Sequence, residues 1–403
     1  MAYNIRVANQ PFPSLVLGLL IGLLATPAQA LDVKLYGAAD IGVSYVHTTN
    51  KNGSANRLGM DSGVLDDSMI GFTGKERLNS DWLLSFNLAS EINIYDGTLA
   101  YDQFFGIEST LGLTRRNWGT LELGRQQTAS TNFFTAIDPM GLSFGQANMG
   151  TSFTAINTQI YNNLVQFTSA TWSGFQMAVG YSFDTGESAI YADSGYNKPV
   201  PSTNGFTNSS KMRALSAAVQ YQSGPVLLVA SYDKALPSDT ILTTGTGPDR
   251  LTNPQNAKPQ AWYFGLAYTL DQVVFSAAWG RGINGAFSGS GPGNDLSGSP
   301  LVSITGNADM LFSQGFDQNA YLLGLSWAID KRTQFMASWQ MLKPTGSLAV
   351  TPGVGTQQIF GAALTYNLSP RTTAYIWASY ANNFEMASGA KASVIGTGLQ
   401  TLF

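Results

Sequence analysis

WYFGLAYTL, residues 262–270, puts Trp262, Phe264, Leu266, Tyr268 and Leu270 on one parity and Tyr263, Gly265, Ala267 and Thr269 on the other. Successive side chains of a strand point to opposite faces, so this stretch reads as a strand with one bulky apolar face and one small or polar face. FQMAVGYSF (175–183) and TQFMASWQM (333–341) repeat the pattern, with Phe175, Met177, Val179 and Tyr181 in the first and Phe335, Ala337, Trp339 and Met341 in the second. A soluble sandwich also alternates, but it buries its bulky face against a second sheet and sends charge outward. Here the second face is small and polar, as a sheet with lipid on one side and water on the other requires.

Working outward, segments of this kind recur near 33–47, 67–77, 82–94, 101–115, 119–128, 162–172, 175–183, 211–222, 225–233, 260–270, 273–281, 317–329, 333–342, 357–368, 372–381 and 392–403. Tight connections such as LNSD (78–81), WSGF (172–175), LDQ (270–272) and LSPR (368–371) alternate with long stretches rich in Gly, Ser, Thr, Asn and Pro, up to GSGPGNDLSGSP within 282–316. Short periplasmic turns alternating with long external loops are the mark of a transmembrane barrel. The expected fold is therefore all-β: one transmembrane antiparallel β-barrel of 16 strands, occupying residues 31–403 as a single domain.

Composition narrows the function classes. Charged residues are 11% of the chain against about 25% in ordinary soluble proteins, while aromatics are 12% and glycines number 43. The absence of Cys removes disulfides, thiolate metal sites and Cys nucleophiles. A single histidine, His47, excludes multi-His zinc sites and leaves one imidazole for any His-based catalysis. The formal net charge of −4 speaks against a nucleic-acid partner. No cofactor is implied.

At the N-terminus, Arg6 precedes the apolar run LVLGLLIGLL (Leu15 to Leu24) and ATPAQA, which ends at Ala30. A short apolar run followed by an A-x-A site reads as a signal peptide over 1–30, cleaved after Ala30. The run is too short to span a bilayer as a helix, and no later stretch approaches the length required. Export with strands in place of helices points to the outer membrane, with lipid bilayer and lipopolysaccharide as surroundings.

Several stretches resemble one family. VKLYGAADIGVSY (Val33 to Tyr45), GFTGKERL (Gly71 to Leu78), WGTLELGRQ (Trp118 to Gln126) and NNLVQFTSATWSGFQMAVGYSF (Asn162 to Phe183) are similar to strands of the general diffusion porins of β-proteobacteria, and the chain ends in Phe403. The resemblance implies a homotrimeric, passive, water-filled channel for small hydrophilic solutes and ions, with Phe403 as the barrel-closing terminal aromatic. It also implies that the third external loop, about Ala129 to Tyr161, folds into the lumen as a constriction carrying Asp138. The phenylalanines of that loop, 133, 134, 144 and 153, would be costly on an exposed loop and suit packing against a wall.

Strand phase places Lys34, Asp40, Lys75, Glu91 and Glu108 toward the lumen, and Glu122 joins them as a pore-lining candidate. Arg125 is in conflict: phase from Leu121 and Leu123 turns it outward, whereas GRQ resembles the family's pore-wall arginine. A bulge at Gly124 with inward or rim placement reconciles the two, because lipid-facing charge costs about 2 to 4 kcal/mol near the midplane. Met69, Thr73 and Gln166 stand where the family commonly has arginine, so the lumen is expected to lean weakly toward cations.

Three rivals remain. A substrate-specific channel should show a ladder of lumen aromatics, yet here most large aromatics fall on the outward phase. A barrel enzyme would need His47, which reads as a rim residue. A structural surface protein would favour a narrow plugged barrel, against which the strand number argues.

Overall fold

The computed structural model describes residues 32–51, 53–101, 103–156, 160–186, 189–191, 199–200, 212–236, 257–287, 310–312 and 314–403. The leader expected at 1–30 and the GSGPGNDLSGSP stretch lie outside them.

The barrel strands are β1 (Asp32–Asn50), β2 (Met69–Arg77), β3 (Trp82–Glu91), β4 (Glu108–Arg115), β5 (Gly119–Gln127), β6 (Ile160–Ser169), β7 (Phe175–Ser182) and β8 (Arg213–Ser223). They continue as β9 (Val226–Leu236), β10 (Gln260–Leu270), β11 (Val273–Ile283), β12 (Asp317–Ala328), β13 (Thr333–Thr345), β14 (Gln357–Asn367), β15 (Thr372–Asn382) and β16 (Lys391–Leu402). Each pairs antiparallel with the strand before it, and β16 pairs with β1 from Ala38↔Leu402 to Thr49↔Lys391, so the 16-stranded sheet closes. Closure removes the two open edges that would otherwise expose unpaired backbone groups to lipid. Phe403 extends the seam: its N–H donates to the Gly37 carbonyl (3.0 Å) and its carbonyl accepts from Gly37 (3.1 Å).

The tight turns follow from their residues. In WSGF, Trp172 and Phe175 exchange backbone hydrogen bonds of 2.8 and 2.9 Å while Ser173 (φ 50°) and Gly174 (φ 88°) take left-handed conformations. Two positive φ angles in a two-residue loop match the twist of the flanking strands.

One strand is not expected from the sequence. Residues Gly53–Ser62 fold back on the upper part of β1, from Asn50↔Gly53 to Ile41↔Ser62. The segment GSANRLGMDS has glycine at two positions and only Leu58 and Met60 as bulky apolar residues, both exposed, so its alternation is weak. The fourth strand also starts later than expected, at Glu108.

Register separates the two faces. Trp262, Phe264 and Leu266 stand on the outer side, as do Trp327, which is opposite Phe335, Trp339, which is opposite Leu323 and Phe360, and Tyr366. The inner side of β7–β16 is dominated by Gly, Ala and Ser: Ala178, Ser216, Ala218, Ser231, Gly265, Ala267, Ala278, Gly280, Gly324, Ser338, Gly361 and Ser379. That small-residue wall leaves room inside the barrel for another element.

Candidate functional site

The element that fills the room is the loop after β5. It opens with helix α1 (Ala129–Phe134), whose N-cap Thr128 accepts a hydrogen bond from the Thr131 N–H at 3.2 Å. Phe134, Ile137, Phe144, Met149, Phe153 and Ile156 are all fully buried. They pack on the small-residue wall so closely that a Cβ at Gly265 would lie 2.9 Å from Phe134 and Ile137. One at Gly324 would meet Pro139 at 2.5 Å, and one at Gly361 would meet Ala147 at 2.6 Å.

Polar contacts fix the loop across the lumen. Ser130 Oγ donates to buried Asp233 on β9 (2.5 Å), and Tyr263 Oη on β10 accepts from the Ala155 N–H (3.1 Å). Gln340 Nε2 on β13 donates to the carbonyls of Ala147 (2.6 Å) and Asn148 (2.8 Å), and Gln146 Nε2 donates to Ser379 on β15 (2.8 Å). Phe144 donates its N–H to the Val64 carbonyl (2.8 Å) in the connection that leads into β2. The loop is thus tied to wall strands from β8 round to β15 and, through Phe144, to the connection ahead of β2.

Asp138 is inside this loop and buried. Its carboxylate accepts from the N–H groups of Leu142 (2.9 Å), Met149 (3.1 Å) and Met140 (3.2 Å), tying both limbs of the loop together. Burial pushes its carboxyl up to about 6, and the three amide donors offset only part of that. The charge expected at the constriction is therefore turned away from the water. Among the described residues of the loop the exposed ones are Asn132, Ala136 and Gly141, which are neutral.

Asp40 faces inward on β1 but is fully buried. It accepts from the N–H groups of Leu65 (2.6 Å) and Asp66 (3.0 Å) and from the Tyr375 hydroxyl (2.6 Å). Like Asp138, it holds a loop.

The remaining candidates lie on β1–β5. Lys34 stands opposite Thr73 on the lumen side and contacts Asp32 at 3.4 Å; both are well exposed, and Lys75 stands opposite Asp32. Glu91 is opposite Met69, on the lumen side at the upper end of β3. Glu108 accepts from Asn87 Nδ2 (2.7 Å) and Thr110 Oγ1 (2.9 Å), while Asn87 in turn accepts from the Tyr36 hydroxyl (2.8 Å). Glu122 stands opposite Gly112 and Gln166, also inward.

Arg125 is the position where phase and resemblance disagree. The ladder shifts register between Gly124 and Gln126, and Gly124 has φ 137°, so a bulge is present. Gln126 turns inward, while Arg125 stands opposite Ser109, on the side of Leu111 and Leu123. Its Nε donates to the Gly106 carbonyl (2.6 Å), its Nη1 donates to Asn162 Oδ1 (2.8 Å), and its guanidinium lies 5.4 Å from the Tyr101 ring. The structure places it at the upper rim, tied to loop atoms.

The parity of Tyr263 follows from its strand, but its role and the inward placement of Tyr375 and Trp377 do not: these rings seat the loop, with Phe153 and Tyr263 edge to face at 5.3 Å and Phe144 5.9 Å from Tyr375 and 6.2 Å from Trp377. In TTAYIWASYAN both parities carry bulky residues, so alternation does not separate the inner face from the outer. The signal available was the small residues beside each ring, Gly280 next to Tyr263 and Gly396 and Gly398 next to Trp377 and Tyr375.

A closed barrel with a loop folded across its lumen and ionisable side chains on its inner wall is a channel architecture, and residues 16–384 match the family model described as Gram-negative porin. The chain belongs to that family. An outer membrane porin protein of Bordetella pertussis is 32% identical over 410 residues, covering 96% of this chain and 99% of the relative. Outer membrane porin protein 32 of Delftia acidovorans is 32% identical over 190 residues, 45% of this chain and 52% of the relative. Among solved structures, the anion-selective porin from Comamonas acidovorans superposes with a TM-score of 0.66 at 18% identity, covering 93% of this chain and all of that one. This porin is thus an outer-membrane channel and not an enzyme.

Proposed function

We propose that the porin passes small hydrophilic solutes and ions without a dedicated binding site, and that a weak cation preference is set by Glu108 and Glu122. The observation that carries this reading is the fate of the carboxylates. Asp40 and Asp138 are buried against backbone amides, whereas Glu108 is bonded only to the neutral groups of Asn87 and Thr110. Glu122 lies over Gly112 and has no ion pair among the described residues. Lys34 and Lys75 sit on the same half of the wall and temper the preference. With Met69, Thr73 and Gln166 on the lumen side, no arginine ladder opposes it. The Comamonas relative's anion selectivity is the contrary expectation.

The zero-current potential of the purified porin in a planar bilayer under a KCl gradient decides the sign. A modest cation preference supports the reading, and a strong anion preference overturns it. We further propose a homotrimer embedded among lipopolysaccharide, entered after removal of a leader cleaved behind Ala30. The trimer rests on the family resemblance and is tested by the mass of the native detergent-extracted porin, and the cleavage by N-terminal sequencing of the mature chain.

A further inference from the structure

The wall strand that follows β1 is interrupted at a place that barrel closure does not require. β1 pairs with Gly53–Ser62 as far as Ile41↔Ser62 and with β2 from Ala38↔Met69, so the two residues Ala39 and Asp40 face the six residues 63–68, an excess of four. Extra residues on one side of a ladder must leave the plane of the sheet. The ends of this excursion are drawn together on the main chain of Asp40. The Gly63 N–H donates to the Asp40 carbonyl (3.2 Å), and Ser68 Oγ accepts from the Asp40 N–H (3.0 Å) and donates to its carbonyl (2.7 Å). From the other side, Ile92 just past β3 closes the same gap: its N–H donates to the Ser68 carbonyl (2.7 Å), and its carbonyl accepts from Ser62 Oγ (3.2 Å). The inward carboxylate of Asp40 holds the middle through the N–H groups of Leu65 and Asp66. The excursion therefore projects into the lumen, where Val64 and Leu65 pack against the cluster that contains Phe144, Tyr375 and Trp377.

There it meets the tip of the inserted loop. The Val64 carbonyl accepts from the Phe144 N–H (2.8 Å), and the Leu65 carbonyl accepts from Ser143 Oγ (2.5 Å). Four of the five residues 141–145 are left-handed, among them Leu142 (φ 63°) and Phe144 (φ 62°). Side chains of that size keep such a conformation only where surrounding contacts impose it. On Leu142 the contact comes from within the loop, from the carboxylate of Asp138. On Phe144 the hydrogen bond comes from outside the loop, from the excursion.

We propose that the excursion is the positioning element of the inserted loop: anchored on Asp40, it fixes the loop tip through Ser143 and Phe144 and so keeps the channel at a single open level. Asp40 and Ser143 are then positioning residues, acting on permeation without touching the solute. The inference needs the chain to be a channel and is indifferent to the sign of its selectivity.

Single-channel recording of the full porin in planar bilayers, read together with hydrogen exchange, tests the role. Deleting residues 64–67 leaves Gly63 and Ser68 opposite Asp40 and Ala39, so the ladder with β1 runs on without a gap. The deletion is expected to fold and to show several open levels where wild type shows one. It also removes the charges of Asp66 and Asp67, so the neutral change Ser143→Ala separates tethering from charge, and it carries the test alone if the deletion fails to fold. Ser143→Ala is expected to show extra levels too, with protection of the Phe144 amide lowered roughly fivefold, the equivalent of one hydrogen bond. Ser143→Thr keeps the hydroxyl and is expected to restore both. Protection of the Asn132 amide, which donates to the Thr128 carbonyl in α1, is expected to stay as in wild type, because only the tip is freed. A single wild-type level in Ser143→Ala, extra levels in the deletion alone, or equal loss of protection at Phe144 and Asn132 would overturn the proposal.

Discussion

The hydroxyl of Tyr375 on β15 donates to the carboxylate of Asp40 on β1 at 2.6 Å, spanning 335 residues of sequence and the strand, β16, that lies between them. The ring of Tyr375 passes over Gly398 and Gly42 to make that contact. The bond crosses the seam at which the barrel closes, and it comes on top of the two loop amides held by the same carboxylate. Tyr375→Phe removes one donor from a buried carboxylate and should cost about 1 to 3 kcal/mol. It is expected to lower the thermal midpoint of the barrel in detergent, followed by circular dichroism. Asp40→Ala frees three donors at once and should cost more. An unshifted midpoint for both variants would show that the seam is held without them.

The lumen parity of Asp40 was legible in VKLYGAADIGVSY, but its partners were not. Leu65 and Asp66 lie 25 and 26 residues downstream, in a connection with no periodicity to read. Asp138 presents the same limit: its charge is evident, while the three amides that neutralise its field come from the loop's own return path. What the sequence does encode is the receptor for the loop, since Gly265, Ala267, Gly324 and Gly361 fall on the inward parity of strands whose outward parity is aromatic or aliphatic. Period two gives the strands and their faces, because each face meets a different solvent. Arg125 keeps the outward parity of Leu123 and meets the rim rather than lipid, because its guanidinium is taken up by Gly106, Asn162 and Tyr101, none of which period two can announce.

The loop seat can be blocked by one side chain. At Gly324 an added Cβ would lie 2.5 Å from Pro139, and the neighbour is a rigid ring that cannot fold away. Gly324→Val should therefore lift the loop off β12, with an overpacking cost of about 1 to 3 kcal/mol. Single-channel conductance is expected to rise, because the loop obstructs the lumen. A conductance equal to that of wild type would mean that the loop does not set the narrowest point.

Asp138 gives the loop a pH dependence whose sign is opposite to that of an ordinary ion-paired carboxylate. Its carboxyl titrates at about 6 in the folded loop, above the 3.8 of an unperturbed aspartate, so between those values the folded state holds a proton that the unfolded state has released. The folded loop is therefore favoured relatively more as pH falls through about 6, and that gain is complete below about 4. Hydrogen exchange at the amides of Met140, Leu142 and Met149, corrected for intrinsic rates, should report a change in protection between pH 5 and 7 that Asp138→Asn abolishes. Identical pH profiles for wild type and variant would place the titration elsewhere.

Selectivity separates the buried carboxylates from the wet ones. If Glu108 and Glu122 set the field, Glu108→Gln with Glu122→Gln should shift the zero-current potential toward anions. Asp138→Asn should leave the potential nearly unchanged in channels of normal conductance, since its carboxylate is enclosed by the loop amides. The effect is tied to ionic strength: fixed charges on a wide pore wall act over about 10 Å at 0.1 M salt and about 3 Å at 1 M. The difference between wild type and the double variant should therefore be largest in dilute KCl and shrink toward nothing in concentrated KCl. Because Lys34 and Lys75 remain on the same wall, the double variant should cross zero and become weakly anion-selective. A double variant that stays cation-selective at low salt would assign the field to carboxylates other than this pair, with Glu91 at the upper end of β3 the next to test.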